Sequence, residues 1–426
     1  MKKKRIVFLL GAGSALSWGG PSTQELLELI KKNNVIKTAF GENVISYFVN
    51  LLNKSYDNPV NVNFETVISL LEVLYEYYDN KSISGNTPDL HPVWPNIFNI
   101  EDDIDKELFS HYQVKTHALA DHIVEEDTVN ILDRNNNMIN TIPCAKSRWK
   151  VVVLHNIYSA IIETISNRIL EYDDEILQPK DKLSSLLITF VTYLSKADYI
   201  SRFYTTNYDK LIFTIFKDNE SIIDGFDGIQ DRILNATRVM SDFETLCYYN
   251  LHGSIYWEEY FSHKSMNIEF KSLNHPNYNA FGASRYTIDN AREALFTNIL
   301  VGNNKTQKVS IPPLNYFESA FNQDCKLSDI LFVIGSSLND YDIRKSIFTA
   351  LSNTEKILII VTKIDSINIE KIKSVIKDIS PIPERMFINK YKNSKEWWAN
   401  KEQNCYVYIN GFDKFLCTNA WEEVTF

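Results

Sequence analysis

IVFLLGAGSALSWGG occupies residues 6–20, and its first half decides the fold. Ile6–Leu10 is an unbroken β-rich apolar run, which suits a strand buried on both faces. It passes directly into Gly11, Ala12, Gly13 and Ser14, a loop tight enough to touch a ligand. The fingerprint of a redox dinucleotide site puts a third glycine three positions after Gly13, and Leu16 stands there instead. By itself GAGS is either a ligand contact or a plain tight turn.

The chain downstream shows what sheet this strand joins. Ser22-Thr23-Gln24-Glu25 has capping-box spacing, and Leu26, Leu27, Leu29 and Ile30 supply a helical apolar face. From about Val35 to Lys180 three stretches, Val67–Tyr78, Lys106–Val124 and Val151–Leu170, repeat apolar residues at three- and four-residue steps. Breaks at Ser82–Pro95 and Asp133–Pro143 separate them. Strand-then-helix units then return. Ile200–Thr206, Leu246–Leu251, Asp329–Gly335 and Lys356–Thr362 read as short apolar strands of a parallel, doubly wound sheet. The expected organisation is a core of residues 1–34 plus 181–382, an α-helical insertion at 35–180 and an aromatic-rich C-terminal segment at 383–426.

Composition narrows the function classes. The formal net charge of −10 argues against broad nucleic-acid binding, which needs a basic face. The Lys2–Arg5 cluster reads as a solvated tail. Cys144, Cys247, Cys325, Cys405 and Cys417 are widely spaced with no CxxC pair, which suits reduced thiols and a cytoplasmic location. No apolar run approaches the ~20 residues that span a bilayer, so no membrane association is expected.

In an open α/β sheet ligands bind beyond the carboxyl ends of the strands. Four such ends carry unusual residues: Gly11, Gly13 and Ser14; Thr206, Asn207 and Asp209; His252, Gly253 and Ser254; and Gly335, Ser336 and Ser337. Asp209 also suits a helix N-cap, and Asp340 with Asp342 suits the start of a helix. His91, His111, His117, His122, His155, His263 and His275 read as structural, whereas His252 ends a strand before Gly-Ser, which leaves its ring facing a gap. Lys363 and Asp365 follow the last strand within reach of the same edge. Trp397, Trp398 and Trp421 in the tail serve either an interface or the core.

In order and context, Gly11-Ala12-Gly13-Ser14, Thr205-Thr206-Asn207-Tyr208-Asp209, Leu251-His252-Gly253-Ser254 and Gly335-Ser336-Ser337-Leu338 resemble the sirtuin (silent information regulator) family. The resemblance covers residues 1–34, roughly 181–254, and 295–365, and it is closer to the bacterial antiphage-defence branch, which hydrolyses NAD. It implies a Rossmann-like fold. Deacylating members hold a structural zinc with two CxxC pairs after the catalytic His. Residues 255–328 here contain one cysteine, Cys325, so no zinc module and no four-thiolate zinc is expected. The acidic and arginine residues that follow the glycine loop in those members are replaced here by SWGGPSTQE.

The resemblance makes NAD+ a substrate, with no cofactor. Its glycosidic bond joins ribose to a cationic pyridinium, so nicotinamide departs neutral through an oxocarbenium-like transition state. Gly11, Ala12, Gly13 and Ser14 are expected to bring backbone N–H groups to the diphosphate, with Ser336 and Ser337 opposite and Gly335 at the turn. Asn207 suits positioning water or ribose hydroxyls beside Thr206, and His252 is the candidate general base. Asp209 is expected at the nicotinamide side or bracing its loop, and Asp340 at ribose or adenine or as a helix cap. Members of this size imply a homo-oligomer paired with a HerA-type ATPase translocase, with no direct nucleic-acid binding. A zinc-free deacylase and a non-catalytic NAD- or ADP-ribose-binding subunit are the alternatives.

Overall fold

Register within one parallel sheet brings the candidate residues to a common level. Numbering the strands of the main sheet alone, β1 is Lys4–Leu10, β2 Tyr199–Thr205, β3 Cys247–Asn250, β4 Ile330–Ile334 and β5 Ile357–Val361; β6 is Lys392–Ser394, β7 Trp397–Asn400 and β8 Cys405–Tyr408. The structure is a computed structural model. It describes residues 3–33, 36–38, 41–55, 62–84, 100–110, 113–117, 126–132, 138–144, 149–176, 182–217, 222–229, 232–262, 267–275, 284–289, 292–302, 305–352, 355–365, 372, 374–376, 392–394, 396–400 and 404–423.

The sheet has eight strands in the order β6-β7-β8-β5-β4-β1-β2-β3. From β3 to β8 the neighbours are parallel, and the hairpin-like pairings β6–β7 and β7–β8 are antiparallel. Strand order 3-2-1-4-5 is that of the Rossmann class, with the switch of direction between β1 and β4. Leu10 pairs in register with both Ile334 and Thr205, and Thr205 pairs with Asn250. Four chain segments therefore leave the sheet side by side: Gly11, Thr206, Leu251 and Gly335.

The alternation of β1 explains its burial on both sides. Ile6, Phe8 and Leu10 enter one apolar core and Val7 and Leu9 the other. Phe8 stacks on Phe203 at 4.4 Å and on Phe332 at 5.0 Å, with Phe190 edge-on at 6.0 Å. The helix Thr23–Asn33 starts as its capping box dictates, with the Glu25 N–H donating to Ser22 Oγ at 3.1 Å. The reciprocal arm is diverted, because the Glu25 carboxylate pairs with Arg168 at 2.7 Å.

The insertion folds into the same core. Buried side chains of the helices Val44–Ser55, Phe64–Ser84 and Trp149–Ile176 form one apolar cluster with Ile6, Phe8 and Leu10. The insertion also departs from the helical reading. A wide-turn helix covers Ile100–Phe109, and Gln113–His117 is a strand where a helix across Lys106–Val124 was expected. It pairs antiparallel with Glu126–Leu132, which pairs with Met138–Cys144. Val114 and Thr116, like Thr141 and Ile142, are β-branched, and such short runs sit well on a pleated ladder. The remainder of that stretch, 118–125, and residues 85–95 of the first break lie outside the described residues.

The C-terminal segment is likewise core. Trp397, Trp398 and Trp421 are buried, as are Tyr408 and Phe415. β7 and β8 extend the main sheet, and the helix Phe412–Cys417 covers one face through contacts of Phe415 with Phe190 and Phe332. Residues on both sides of His252 add a small sheet of Phe226–Asp227, Arg232–Leu234, Asn267–Ser272 and Trp257–Ser262. No described helix is long and apolar enough to cross a membrane.

Charge is buried deepest near the start of the parallel strands. Asp324 accepts from Arg202 Nε at 2.7 Å and from the Tyr204 hydroxyl at 2.5 Å, with both partners of the ion pair fully buried. Arg5 approaches the other carboxylate oxygen at 3.2 Å. Removing one partner strands the rest as uncompensated buried charge. Asp324→Ala is expected to lower stability in urea titrations by about 3–5 kcal/mol, while Asp365→Ala on the surface costs under about 1 kcal/mol.

Candidate active site

Close packing of two turns builds the floor of the site. Gly13 N–H donates to the Gly335 carbonyl at 2.9 Å, and Gly11 N–H to Ile334 O at 2.9 Å. Gly335 has φ +62°, and a Cβ there would lie 2.2 Å from Ser14 N. A Cβ on Gly13 would lie 2.8 Å from Gly335 Cα. These glycines let the ends of β1 and β4 touch, which no side chain would allow.

The end of β2 is tied to the same loop. The Asn207 side-chain amide donates to Gly11 O at 3.2 Å, and Thr205 Oγ1 accepts from Asn207 N–H at 3.0 Å. Thr206 N–H donates to Leu10 O at 2.9 Å. Asp209 turns inward. Its carboxylate is buried and accepts from Leu211 N–H at 2.9 Å and the Tyr248 hydroxyl at 3.0 Å. Burial pushes the Asp209 carboxyl up, against hydrogen bonds from Tyr172, Leu211 and Tyr248. Asp209 therefore braces the turn after β2.

His252 sits in a turn set by its neighbours. Gly253 has φ +81°, and a Cβ there would meet Asn298 O at 2.2 Å. Ser254 N–H donates to Asn298 O at 2.9 Å, and Ser254 Oγ to Tyr208 O at 3.0 Å. The ring then faces Asp340, with Nε2 3.2 Å from Oδ2. The other Asp340 oxygen caps the helix Tyr341–Ala350, accepting from Asp342 N–H at 3.1 Å and Ile343 N–H at 3.2 Å. Burial pushes this carboxyl up, but the His252 hydrogen bond and charge, Ile343 N–H and Lys305 outweigh it and hold it well below the usual carboxylate range. Asp340 is thus ionised and does two jobs. In a neutral His252 ring it fixes the proton on Nε2 and leaves the lone pair on Nδ1.

A cavity of about 630 Å³ lies over these turns, within the ~300–1,000 Å³ of small-molecule sites. Of the residues singled out in the sequence, Gly11, Ala12, Gly13, Thr206, Asn207, Asp209, His252, Gly335, Ser336, Ser337 and Asp340 line it. Ser14 does not line it; it is buried, its Oγ donating to Gly11 O at 2.7 Å. Ser14 N–H also donates to Gly11 O, so the Gly11, Gly13 and Ser14 N–H groups are all engaged within the two turns. Ser336 Oγ accepts from Leu338 N–H at 3.2 Å. Lys363 and Asp365 are exposed, 3.7 Å apart, and are not among the lining residues. His155 and His275 are not lining residues either, while His91, His111, His122 and His263 lie outside the described residues.

The sequence reading missed one wall. Asn63, Phe64 and Glu65 at the start of one insertion helix, Ile169 and Tyr172 on another, and Lys305 line the cavity. Nothing in their local sequence marks them; each is an ordinary residue of a helix or its entry, and only tertiary packing brings them here.

Residues 201–380 match the family described as the SIR2-like domain. The match runs through β2, β3, β4 and β5 and includes Asn207, His252 and Asp340. Among solved structures the chain is similar to Sir2Tm bound to a propionylated peptide, at 14% identity over 63% of this chain and 81% of that one, with a TM-score of 0.31. It is similar to Sir2 bound to acetylated peptide at 15% identity, over 48% of this chain and 68% of that one, with a TM-score of 0.26. No curated protein matches.

The depressed Asp340 carboxyl has a signed consequence for stability. A carboxyl held below its unfolded value contributes stability above about pH 4, lost as pH falls through the folded value. Asp340→Asn is expected to unfold more easily than the parent chain at neutral pH, with the gap narrowing below about pH 4. Urea midpoints at stepped pH measure it, and a gap that stays constant into acid contradicts the assignment.

Proposed function

We propose that this chain, SIR2-like over residues 201–380, hydrolyses NAD+ to ADP-ribose and nicotinamide. One observation carries the reading: the His252–Asp340 pair, Nε2 to Oδ2 at 3.2 Å, shares a cavity with Asn207 and the glycine turns. A histidine oriented by an ionised carboxylate is the usual way to hold a base at neutral pH.

In this reading the bond between ribose C1′ and the pyridinium nitrogen breaks, and its electron pair neutralises the departing nicotinamide. Water adds to C1′, and its proton passes to the His252 imidazole. The charge that Asp340 supplies stabilises the imidazolium so formed. Asn207, whose side chain bonds to Gly11 O, orients a ribose hydroxyl or the water in this reading. Water is favoured over an acyl-lysine peptide as the second reactant because insertion helices wall the cavity at Phe64, Glu65, Ile169 and Tyr172.

From the resemblance alone we also propose an antiphage role by NAD depletion, in an oligomer with a HerA-type ATPase that keeps the activity in check. Co-purification of the chain with a neighbouring ATPase, and the mass of the complex, test that part separately.

The chemistry is tested by incubating the purified chain, with and without that ATPase, with NAD+ and with or without acyl-lysine peptide. Peptide-independent ADP-ribose and nicotinamide are expected; an O-acyl product would make it a deacylase, and no turnover in any condition a binding subunit. His252→Ala and Asn207→Ala should each lower nicotinamide release by about 10²-fold or more while the protein stays folded. Near-parental turnover in either variant would sink the site assignment.

A further inference from the structure

Charge in the cavity poses a problem that the proposed substrate sharpens. A dinucleotide brings two phosphate charges, yet the ionisable side chains lining the cavity include Glu65, Asp340 and Asp342. The turn N–H groups of Gly11, Gly13 and Ser14 already donate to Ile334, Gly335 and Gly11 carbonyls. Among the described residues, Lys305 is the one lysine or arginine in the lining.

Lys305 belongs to a pair of ion pairs that are chemically unequal. The helix Lys305–Val309 faces the insertion helix Phe64–Ser84 through Lys305–Glu65 at 2.9 Å and Lys308–Glu72 at 2.5 Å. The inner pair is sealed: its side chains are 4% and 7% exposed, Lys308 also donates to Val301 O at 2.8 Å, and the Tyr158 hydroxyl donates to Glu72 at 3.3 Å. The outer pair is 26% and 33% exposed and opens on the cavity. The inner pair staples the helices whatever the outer one does, so the Lys305–Glu65 contact is exchangeable.

We propose that Lys305 is the phosphate-reading residue of this cavity, held by Glu65 until a phosphate-bearing nucleotide displaces that carboxylate. The ammonium already acts on the site, since its charge helps keep Asp340 ionised. Moving from Glu65 to a phosphate exchanges one charge-assisted bond for another, and Glu65 returns to water at the rim. The insertion thereby sets the affinity of a site whose reacting groups all lie in the turns beyond the main sheet. The inference rests on the nucleotide reading of the cavity but not on hydrolysis.

Titration calorimetry with ADP-ribose and with adenosine tests it on the full chain. Lys305→Ala is expected to weaken ADP-ribose by about 10–100-fold and to leave adenosine unchanged. The parent's ADP-ribose affinity should fall with added salt more steeply than the variant's. Glu65→Gln should tighten ADP-ribose, because it frees the ammonium and removes a like charge. A merely structural ion pair predicts that both variants weaken binding together, which would overturn the proposal. So would Lys305→Ala with parental affinity, and Lys305→Gln serves if the alanine variant does not fold. Lys363→Ala, an exposed cation not among the cavity-lining residues, controls for net charge. A parent chain that binds no ADP-ribose would remove the nucleotide reading and this inference together, a result distinct from loss of the Lys305 effect alone.

Discussion

Backbone contact between the turns after β1 and β4 is the constraint on which the site depends. Gly11, Gly13 and Gly335 meet at distances where a Cβ would overlap main-chain atoms. Because the strands are parallel and in register, that contact fixes the level of the neighbouring strand ends as well. Asn207 bonds back to Gly11 and so inherits the position of the turn. Asp340 follows Gly335 by five residues, and the short path through Leu338, at φ +53°, leads the chain to the helix that Asp340 caps. A left-handed non-glycine residue is uncommon, and here a buried Leu side chain holds it in place. The distance between His252 and its carboxylate is thus set by sheet register as much as by either side chain.

Much of this could be read before any coordinates, and the reasons are local. Strands buried on both faces have to be continuous apolar runs, so ILFVI at Ile330–Ile334 and ILIIV at Ile357–Val361 announce themselves. Polar residues at the ends of such strands stand out because the strands exclude them; Asn207 and His252 were visible for that reason. Asp340 showed its capping role in the sequence, but its second oxygen has a partner 88 positions upstream, which no local pattern contains. Lys305, Glu65 and Tyr172 were silent because lysine, glutamate and tyrosine on helices are ordinary.

One misreading and one open alternative have physical causes as well. Short β-branched runs such as VKT at Val114–Thr116 also fit a three-and-four repeat when flanked by apolar residues, and pairing with Glu126–Leu132 decided between the two. Tryptophans in the tail carry the same composition whether they face a partner or a core. Trp421 packs on Phe190 at 4.8 Å, beneath the ring that meets Phe8, and is therefore part of the central core.

The shared core has a consequence for how such a protein can be divided. Ile6, Phe8 and Leu10 rest on the same apolar cluster as Phe48, Leu71 and Ile161 of the insertion. Excising residues 35–180 would uncover part of one face of the main sheet, so the sheet is no ready-made fragment to be liberated by a protease or recombined with another partner. For the same reason the cavity wall is no hinged lid. Where the lining meets solvent, at Leu16 and Tyr341, the cavity presents apolar side chains fixed to the turns after the first and fourth strands, and not to a movable flap.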